Sequence, residues 1–365
     1  MKSIGAIDRR LAVTGQVNGQ DFDFFDVRRP PFTLYGLLPG EPGAPFRRMP
    51  ESVAAAVSEG VAFLNTHTSG GRVRFCTDSA RVAVRVQMPQ NGRMPHMTAL
   101  GSSGFDLYVR QEDGTFRYYA SFVPPTEYAP VYEAPVYFAD SHPRELLIHF
   151  PLYDAVDRLE IGVEPEASLT PGTPYRDALP LVFYGSSITQ GGCASRPGNS
   201  YEAQISRRFN ADFVNLGFSG NARGETAVAD YLASMKMSLC MLDYDHNSPS
   251  AAELDRTHEK LFLTVREKQP DLPILLATKT DPIRDPQMEA DEDIRRAIVS
   301  RTYENALRRG DKQVRFVDGR YVFSHLADKG LSPYDCTVDG CHPNDLGFFC
   351  MAQAFGDAIA DLLGW

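Results

Sequence analysis

Short segments that alternate apolar and polar side chains recur between residues 60 and 165. Residues 81–86 (Arg-Val-Ala-Val-Arg-Val) show the pattern most clearly, and such alternation is typical of strands with one buried face. Between the segments at 105–109 and 116–119, an Asp-Gly pair predicts a hairpin turn. Many short strands separated by turns predict a jelly-roll-like β-sandwich. The predicted strands are 72–76, 81–86, 105–109, 116–119, 146–150 and 159–163.

The pattern breaks between residues 165 and 180. This segment reads PEASLTPGTPYRDALP, and its prolines cannot sustain a helix or a central strand. We therefore predict a linker here, which divides the chain into a sandwich domain at 1–170 and a second domain at 178–365.

From residue 181 onward, short apolar runs alternate with segments of helical periodicity. Residues 199–202 (Asn-Ser-Tyr-Glu) and 250–253 (Ser-Ala-Ala-Glu) resemble capping boxes and predict two helix starts. Another helix is predicted to end near Gly310, and the last covers about 346–363. This βαβα order predicts a three-layer αβα domain with a parallel sheet, which binds ligands at the C-terminal ends of its strands. The predicted strands are 181–184, 213–216, 238–242, 274–277 and 314–317.

Composition and charge narrow the classes of protein that fit this pattern. The 365 residues include 37 Lys and Arg against 47 Asp and Glu, a formal net charge of −10, which argues against a protein that reads a nucleic-acid backbone. Uncharged apolar runs fall far short of the about 20 residues of a membrane span, and the N-terminus lacks the apolar stretch of a signal peptide. We therefore expect a cytoplasmic protein with reduced cysteines and no nucleic-acid or membrane partner. Cys336 and Cys341 beside His342 lack zinc-site spacing, so no metal site is predicted.

Polar and small residues cluster in four turns of the second half. Three turns follow predicted strands, and the fourth precedes the final helix. Because the carboxyl ends of parallel strands meet at one edge of a sheet, we expect these turns to face a common site. The turns are 185–191, 215–221, 243–247 and 339–343.

The four turns resemble the consensus blocks of the SGNH hydrolases, also called the GDSL family. Residues 185–188 (Gly-Ser-Ser-Ile) are similar to the first block, Gly-Asp-Ser-Leu. Asn215 and, five residues later, Gly220 match the second block. Asn247 is the candidate for the third block, whose usual Gly-x-Asn-Asp is absent here, and residues 339–342 (Asp-Gly-Cys-His) match the last. The resemblance covers residues 180–365.

The resemblance implies ester hydrolysis by a catalytic triad. Ser187 would be the nucleophile, His342 the general base, and Asp339 the carboxylate that orients the imidazole. The backbone N–H groups of Ser187 and Gly220, together with the side-chain amide of Asn247, would form the oxyanion hole. This chemistry needs no metal and no organic cofactor.

Other interpretations of these residues are open. The nucleophile could be Ser186, which stands where the family has Asp, and each of the other residues could have a purely structural role. Ser187 and Gly220 fit ordinary turns, residues 339–342 fit a surface turn before a helix, and Asn247 fits an Asx turn.

The first half carries a second resemblance. Residues 104–108 (Gly-Phe-Asp-Leu-Tyr) resemble the GxDLY motif of a β-sandwich domain that precedes some SGNH domains, and residues 150–153 (Phe-Pro-Leu-Tyr) fit the same domain. Proteins of this two-domain type are mostly bacterial, and several relatives of the wider family are esterases that remove O-acetyl groups from carbohydrates. The resemblance implies an esterase whose substrate is a small acetylated carbohydrate or another acyl ester.

Two other functions fit the same residues. A lipase-like or thioesterase-like acyl hydrolase would use the same triad, and a carbohydrate-binding protein would retain an inactive hydrolase half. The sequence leaves open whether the sandwich binds substrate, shapes the pocket or pairs two chains in a homo-oligomer. Tyrosines that either stack on sugars or belong to the core are Tyr118, Tyr119, Tyr132 and Tyr137.

Overall fold

The computed structural model describes residues 22–365, except for 42, 93, 178, 281–285 and the side chains of 286–288. The strands of the first half are β1 (Asp23–Asp26), β2 (Thr33–Tyr35), β3 (Arg72–Thr77), β4 (Arg81–Gln87), β5 (Phe105–Arg110), β6 (Phe116–Phe122), β7 (Val131–Tyr137), β8 (Arg144–His149), β9 (Arg158–Val163) and β10 (Leu169–Pro171). They form two antiparallel sheets, one in the order β1-β9-β4-β7 and one in the order β10-β3-β8-β5-β6, with β2 paired to β3.

Alternating side chains of the two sheets form one core between them. Val82, Val84 and Val86 of β4 are fully buried, and so are Val73 and Phe75 of β3 in the opposite sheet. The period of two in the sequence therefore places one face of each strand inward. The predicted β-sandwich is confirmed.

The turn residues of the first half behave as their chemistry predicts. Gly114 closes the β5–β6 hairpin with a positive φ of 82°, and the Gln111 N–H donates to Thr115 O at 2.7 Å.

Within the proline-rich segment 165–180, the three residues of β10 pair with β3 at the edge of the sheet. Pro171 is tolerated there because an edge strand does not need every backbone N–H.

Five parallel strands form the sheet of the second half, in the order β12-β11-β13-β14-β15. Their bounds are β11 (Leu181–Gly185), β12 (Phe213–Gly217), β13 (Leu239–Asp243), β14 (Ile274–Ala277) and β15 (Val314–Val317). The α-helices of the described residues are α1 (Glu51–Val57), α2 (Glu59–Leu64), α3 (Ala99–Ser103), α4 (Ser187–Gln190), α5 (Tyr201–Phe209), α6 (Thr226–Ser234), α7 (Ala251–Lys268), α8 (Pro286–Arg308) and α9 (Asp345–Leu363).

Helices cover both faces of this sheet. Val182 and Tyr184 of β11 belong to the core shared with α6, α7 and α8, whereas Leu181 and Phe183 belong to the core shared with α5 and α9. Successive residues of one buried strand thus face opposite helical layers, which is the arrangement of an αβα domain. The predicted fold of the second half is confirmed.

Two helix starts differ in detail from the predicted capping boxes. The N-cap of α5 is Ser200, one residue after the predicted start, and its Oγ accepts from Ala203 N at 3.4 Å. Ser250 caps α7 by accepting from Glu253 N at 3.2 Å, while the Glu253 carboxylate pairs with Arg256 instead of closing the box. The serine caps form because each satisfies a free N–H of the first turn.

The last helix, α9, is long and apolar enough to cross a bilayer by length and composition. Its apolar side chains nevertheless pack against the sheet, and Phe348, Met351, Phe355 and Ile359 are buried there. This is the pattern of a core helix.

Part of the first half packs into the second half. Ala54 of α1 and Val61 and Leu64 of α2 join the core on the α6 side of the parallel sheet. The buried Arg48 precedes these helices and donates to Gly217 O at 2.5 Å and to Leu64 O at 2.6 Å. Arg48 therefore links the first half of the chain to the C-terminal end of β12.

Candidate active site

The turn after β11 leaves one serine 8% accessible, Ser187, and buries the other, Ser186, completely. Ser186 is the N-cap of α4, and its Oγ accepts from Ile188 N at 3.1 Å. Ser187 is the first residue of this one-turn helix, so its N–H has no acceptor within the helix. Gly185 is required before the turn, because a Cβ there would collide with the Thr189 side chain and the backbone of Asp243. The alternative nucleophile, Ser186, is thus a fully buried cap.

The loop before α9 brings His342 to this turn. His342 Nε2 lies 2.9 Å from Ser187 Oγ, and His342 Nδ1 lies 2.8 Å from Asp339 Oδ2. Asp339 Oδ1 also accepts from the N–H groups of Cys341 and His342, at 2.9 and 2.7 Å. The structure therefore joins Ser187, His342 and Asp339 in one chain of hydrogen bonds, although 155 positions separate the serine from the histidine.

The environment of Asp339 keeps its carboxylate ionised. Partial burial opposes ionisation, but the hydrogen bonds from the His342 backbone and ring and from Cys341 N lower the pKa of Asp339 to about 2. A negative carboxylate at neutral pH can fix the tautomer of His342 and stabilise its protonated form.

Gly220 and Asn247 lie in the loops on either side of Ser187. The strands β12 and β13 both pair with β11, and Gly217 and Asp243 are both in register with Gly185. Gly220 follows three residues after the end of β12, and Asn247 follows four residues after the end of β13. Both candidates therefore leave the same edge of the sheet as the nucleophile turn.

Local conformation leaves both groups free to bind a ligand. Gly220 is exposed, has a φ of +67°, and its N–H has no acceptor among the described residues. Asn247 ends a single 3₁₀ turn, Asp245–Asn247; no described residue donates a hydrogen bond to its Oδ1, and its Nδ2 donates to no described residue. The Asx turn that would have given Asn247 a structural role is not formed.

Gln190 connects the Gly220 loop to the nucleophile helix and to the first half. Its Oε1 accepts from Ser219 N at 3.0 Å, and its Nε2 lies 3.2 Å from His67 Nδ1. Burial, together with the charge of Arg48, lowers the pKa of His67 to about 3, so the neutral imidazole can accept this hydrogen bond. Side chains of the first half thus fix the position of Ser219, next to Gly220.

The GxDLY motif lies at the contact between the two halves. Asp106 is fully buried and accepts from His149 Nδ1 at 2.9 Å, Arg196 Nη1 at 3.1 Å and Gly198 N at 2.9 Å. Arg196 also donates to the hydroxyl of Tyr108. Because Arg196 and Gly198 follow α4 in the chain, the motif holds the loop that runs on from the nucleophile helix.

Burial and hydrogen bonding determine which side chains of this contact are charged. Burial lowers the pKa of His149 to about 4, so its imidazole is neutral at pH 7. Burial alone would raise the pKa of Asp106, but the hydrogen bonds from His149 and Gly198 and the charge of Arg196 hold it below its usual range. Asp106 and Arg196 therefore form the ion pair of the contact.

Three residues around the triad carry no sequence signal of their own. The Tyr153 hydroxyl donates to Ser187 O at 3.0 Å, the His96 ring lies 5.8 Å from the His342 ring, and Cys193 is buried beside both histidines. Of the three, Tyr153 lies in residues 150–153, the segment that resembles the sandwich domain, but that resemblance does not place it at the active site. His342 is grouped with His96 and Cys193 rather than with Cys336 and Cys341.

The four tyrosines singled out in the sequence have different surroundings. Tyr132 is buried in the sandwich, and its hydroxyl has no partner among the described residues. Tyr118 has Arg196 over its ring at 4.0 Å, and the Tyr119 hydroxyl donates to Tyr137 O at 2.9 Å. Tyr137 is the most exposed of the four, at 60%. A sugar-stacking role is thus restricted to the exposed tyrosines.

Family models match both halves of the chain. The GDSL-like Lipase/Acylhydrolase family matches residues 178–360, and the model described as the N-terminus of Esterase_SGNH_hydro-type, GxDLY, matches residues 22–169. A comparison with curated protein sequences finds no match.

Solved structures share the arrangement of both halves. A GDSL-like lipase from Bacteroides ovatus ATCC 8483 has 28% identity and a TM-score of 0.84, covering 94% of this chain and 98% of that one. The salicylyl-acyltransferase SsfX3 of a tetracycline biosynthetic pathway has 19% identity and a TM-score of 0.76, with the same coverage. A family two carbohydrate esterase from Clostridium thermocellum, in complex with cellohexaose, has 15% identity and a TM-score of 0.64, covering 92% and 99%.

Proposed function

Because this chain belongs to the GDSL-like lipase/acylhydrolase family, we propose that it is a serine esterase that removes a small acyl group, acetyl above all, from a carbohydrate. The observation that carries the proposal is the hydrogen-bonded chain Ser187–His342–Asp339, with contacts of 2.9 and 2.8 Å. It lies at the C-terminal edge of a parallel sheet, where such folds bind their ligands. A hydroxyl, an imidazole and a carboxylate in this order are the groups that acyl transfer requires.

In the proposed acylation step, Ser187 Oγ attacks the ester carbonyl while His342 Nε2 takes the hydroxyl proton. The resulting tetrahedral intermediate collapses when its bond to the alcohol oxygen breaks, and His342 returns the proton to that oxygen. Asp339 remains ionised and stabilises the imidazolium during both transfers. The alcohol leaves, and the acyl group stays on Ser187 as an ester.

Deacylation repeats these events with water as the nucleophile. His342 removes a proton from the water as it attacks the acyl-enzyme, and the carboxylic acid leaves when the proton passes to Ser187 Oγ. In both steps the negative oxygen would accept hydrogen bonds from the N–H groups of Ser187 and Gly220 and from the Asn247 amide. Among the described residues, neither the N–H of Gly220 nor the side-chain Nδ2 of Asn247 donates a hydrogen bond, so both donors are available to the negative oxygen.

The carbohydrate part of the proposal is suggested by the fold shared with the family two carbohydrate esterase from Clostridium thermocellum. A second candidate is hydrolysis of a larger acyl ester. The same triad would serve such an ester, and the solved structures that share this fold include a GDSL-like lipase from Bacteroides ovatus with 28% identity.

A panel of esters separates these candidates. We expect kcat/KM for 4-nitrophenyl acetate to exceed that for the octanoate by at least about 10-fold, because a site that fits acetyl excludes added methylenes. Release of acetate from acetylated xylo-oligosaccharides and cello-oligosaccharides is measured with the same enzyme. Preference for octanoate or benzoate would identify the larger acyl hydrolase instead. Binding of sugar by calorimetry without turnover of any ester would indicate an inactive carbohydrate-binding protein.

Replacement of Asn247 by Ala tests the oxyanion hole. We expect kcat to fall by about 10²–10³-fold with little change in KM, because the lost donor acts on the charge of the transition state. Asn305→Ala is the matched control, since its amide donates to Glu259 on the far helices at 2.8 Å. The same kcat in Asn247→Ala and wild type would remove Asn247 from the site.

A further inference from the structure

A cluster of possible metal ligands surrounds the base of the proposed triad. One ligand atom each from His96, Cys193 and His342 lies within 4.8 Å of the other two. The three residues come from separate segments, namely the loop before α3, the loop after α4 and the loop before α9. Cys193 is buried, and the two imidazoles are partly exposed. A small ligand from solvent can therefore reach the cluster from the side of the histidines.

The chemistry of the cluster suits a thiophilic divalent cation. Two imidazole nitrogens and one thiolate are a common donor set for Zn²⁺, with Zn–N distances of about 2.0–2.1 Å and a Zn–S distance of about 2.3 Å. Ligand atoms around such an ion lie about 3–4 Å from one another. The ligand atoms lie within 4.8 Å of one another, so side-chain movement has to bring them closer around the ion, and a fourth coordination position stays open for water.

The backbone fixes the thiol in this position. Cys193 has a positive φ of 75°, which a residue with a Cβ adopts only where its surroundings hold it. At the preceding Gly192, an added Cβ would lie 2.8 Å from the Tyr153 hydroxyl and 3.0 Å from Ser187 O. The loop is thus packed against the nucleophile turn, and the thiol stays beside His342.

We propose that His96, Cys193 and His342 bind Zn²⁺ or a similar cation, and that the bound ion inhibits the esterase reversibly. Binding releases the thiol proton of Cys193 to solvent as the metal–sulfur bond forms. Both ring nitrogens of His342 are already in use, one by Ser187 and the other by Asp339. Whichever nitrogen the metal takes, one hydrogen bond of the triad is lost.

The site is inhibitory because catalysis and coordination compete for the same imidazole. A histidine bound to the cation cannot accept the proton of Ser187 at that nitrogen. His96 and Cys193 have no part in the proposed hydrolysis. They therefore make the site selective for the cation without being needed for turnover. The binding claim does not depend on the proposed function, whereas the inhibition claim rests on His342 as the base.

Binding is tested first, with Co²⁺ as a spectroscopic substitute for Zn²⁺. In wild type, we expect near-ultraviolet absorption from a thiolate–Co²⁺ bond and competition by added Zn²⁺. Cys193→Ser should lose this absorption, whereas the matched variant Cys341→Ser, next to His342 in the chain, should keep it. Absorption that persists in Cys193→Ser, or disappears in Cys341→Ser, would contradict the site.

Inhibition is tested by hydrolysis of 4-nitrophenyl acetate over a Zn²⁺ titration, with reversal by a chelator. We expect the inhibitory concentration to rise at least about 10-fold in His96→Gln and in Cys193→Ser, while their activity without metal stays within about 2-fold of wild type. Equal inhibition of these variants and wild type would overturn the proposal. If wild type lacks esterase activity but binds Co²⁺ through Cys193, the proposed function fails and the metal site stands.

Discussion

Ser187→Ala is expected to lower kcat for 4-nitrophenyl acetate by about 10⁴–10⁶-fold while the protein stays folded. Removal of the hydroxyl abolishes the covalent pathway and leaves only binding and the oxyanion hole, which account for a small residual rate. Among the described residues, Ser187 Oγ hydrogen-bonds one side chain, at His342 Nε2, so its loss leaves the packing of the turn intact. Steady-state kinetics and circular dichroism on both proteins give the result.

The neighbouring serine provides the control. Ser186→Ala loses the cap of α4, which costs about 1 kcal/mol, but it retains the nucleophile. We expect its kcat to fall by no more than about 10-fold, because the cap positions the turn without touching the ester. A severe loss in Ser186→Ala with normal activity in Ser187→Ala would reverse the assignment of the two serines.

The second large effect is expected on stability, from Asp106→Ala. Removal of this buried carboxylate leaves the Arg196 guanidinium without its buried ion-pair partner and releases Gly198 N and His149 Nδ1. Breaking a buried pair by removing one partner costs about 3–5 kcal/mol. We therefore expect a large drop in the free energy of unfolding at pH 7, measured by denaturant titration.

The exposed Asp140 is the matched control, because it also pairs with one arginine and one histidine, Arg144 and His142. Its side chain is 57% exposed, so Asp140→Ala should cost at most about 1 kcal/mol. Similar losses in Asp106→Ala and Asp140→Ala would show that burial of the contact contributes nothing.

The pH dependence of stability gives a further check on Asp106. Its folded pKa lies below its usual value, so the carboxylate stabilises the fold above the unfolded pKa of about 4. That contribution is lost as the pH falls through the folded pKa, because the folded state must then take up a proton. The difference in unfolding free energy between wild type and Asp106→Ala should therefore be constant near neutral pH and shrink below about pH 4.

The sequence predicts a strand correctly where the residues of that strand form a clear apolar pattern by themselves. The bounds predicted for 274–277 and 314–317 are those of β14 and β15, since a short buried run between turn residues has few alternatives. The helices α1, α2 and α6 have no comparable signal. Glu225 gives α6 no side-chain cap, and the buried residues of α1 and α2 face a core formed by residues far ahead in the chain.

The residues of the candidate site also differ in whether a local sequence pattern reveals them. Ser187, Asp339 and His342 stand in short blocks that can be recognised locally, and the structure brings them within hydrogen-bonding distance. The contact between Gln190 and His67 joins residues 123 positions apart, and no local pattern reports such a pairing. The part of the site that the sandwich contributes therefore required the structure.

The most direct test of the central claim is covalent labelling by a fluorophosphonate ester, followed by peptide mass spectrometry. Such a probe reacts with a serine whose hydroxyl is activated by a neighbouring base. We expect one label per chain, on Ser187, with activity lost in proportion to labelling and no label in Ser187→Ala. Labelling of Ser186 or of any other residue in step with inactivation, or full activity in protein labelled on Ser187, would contradict the proposed triad.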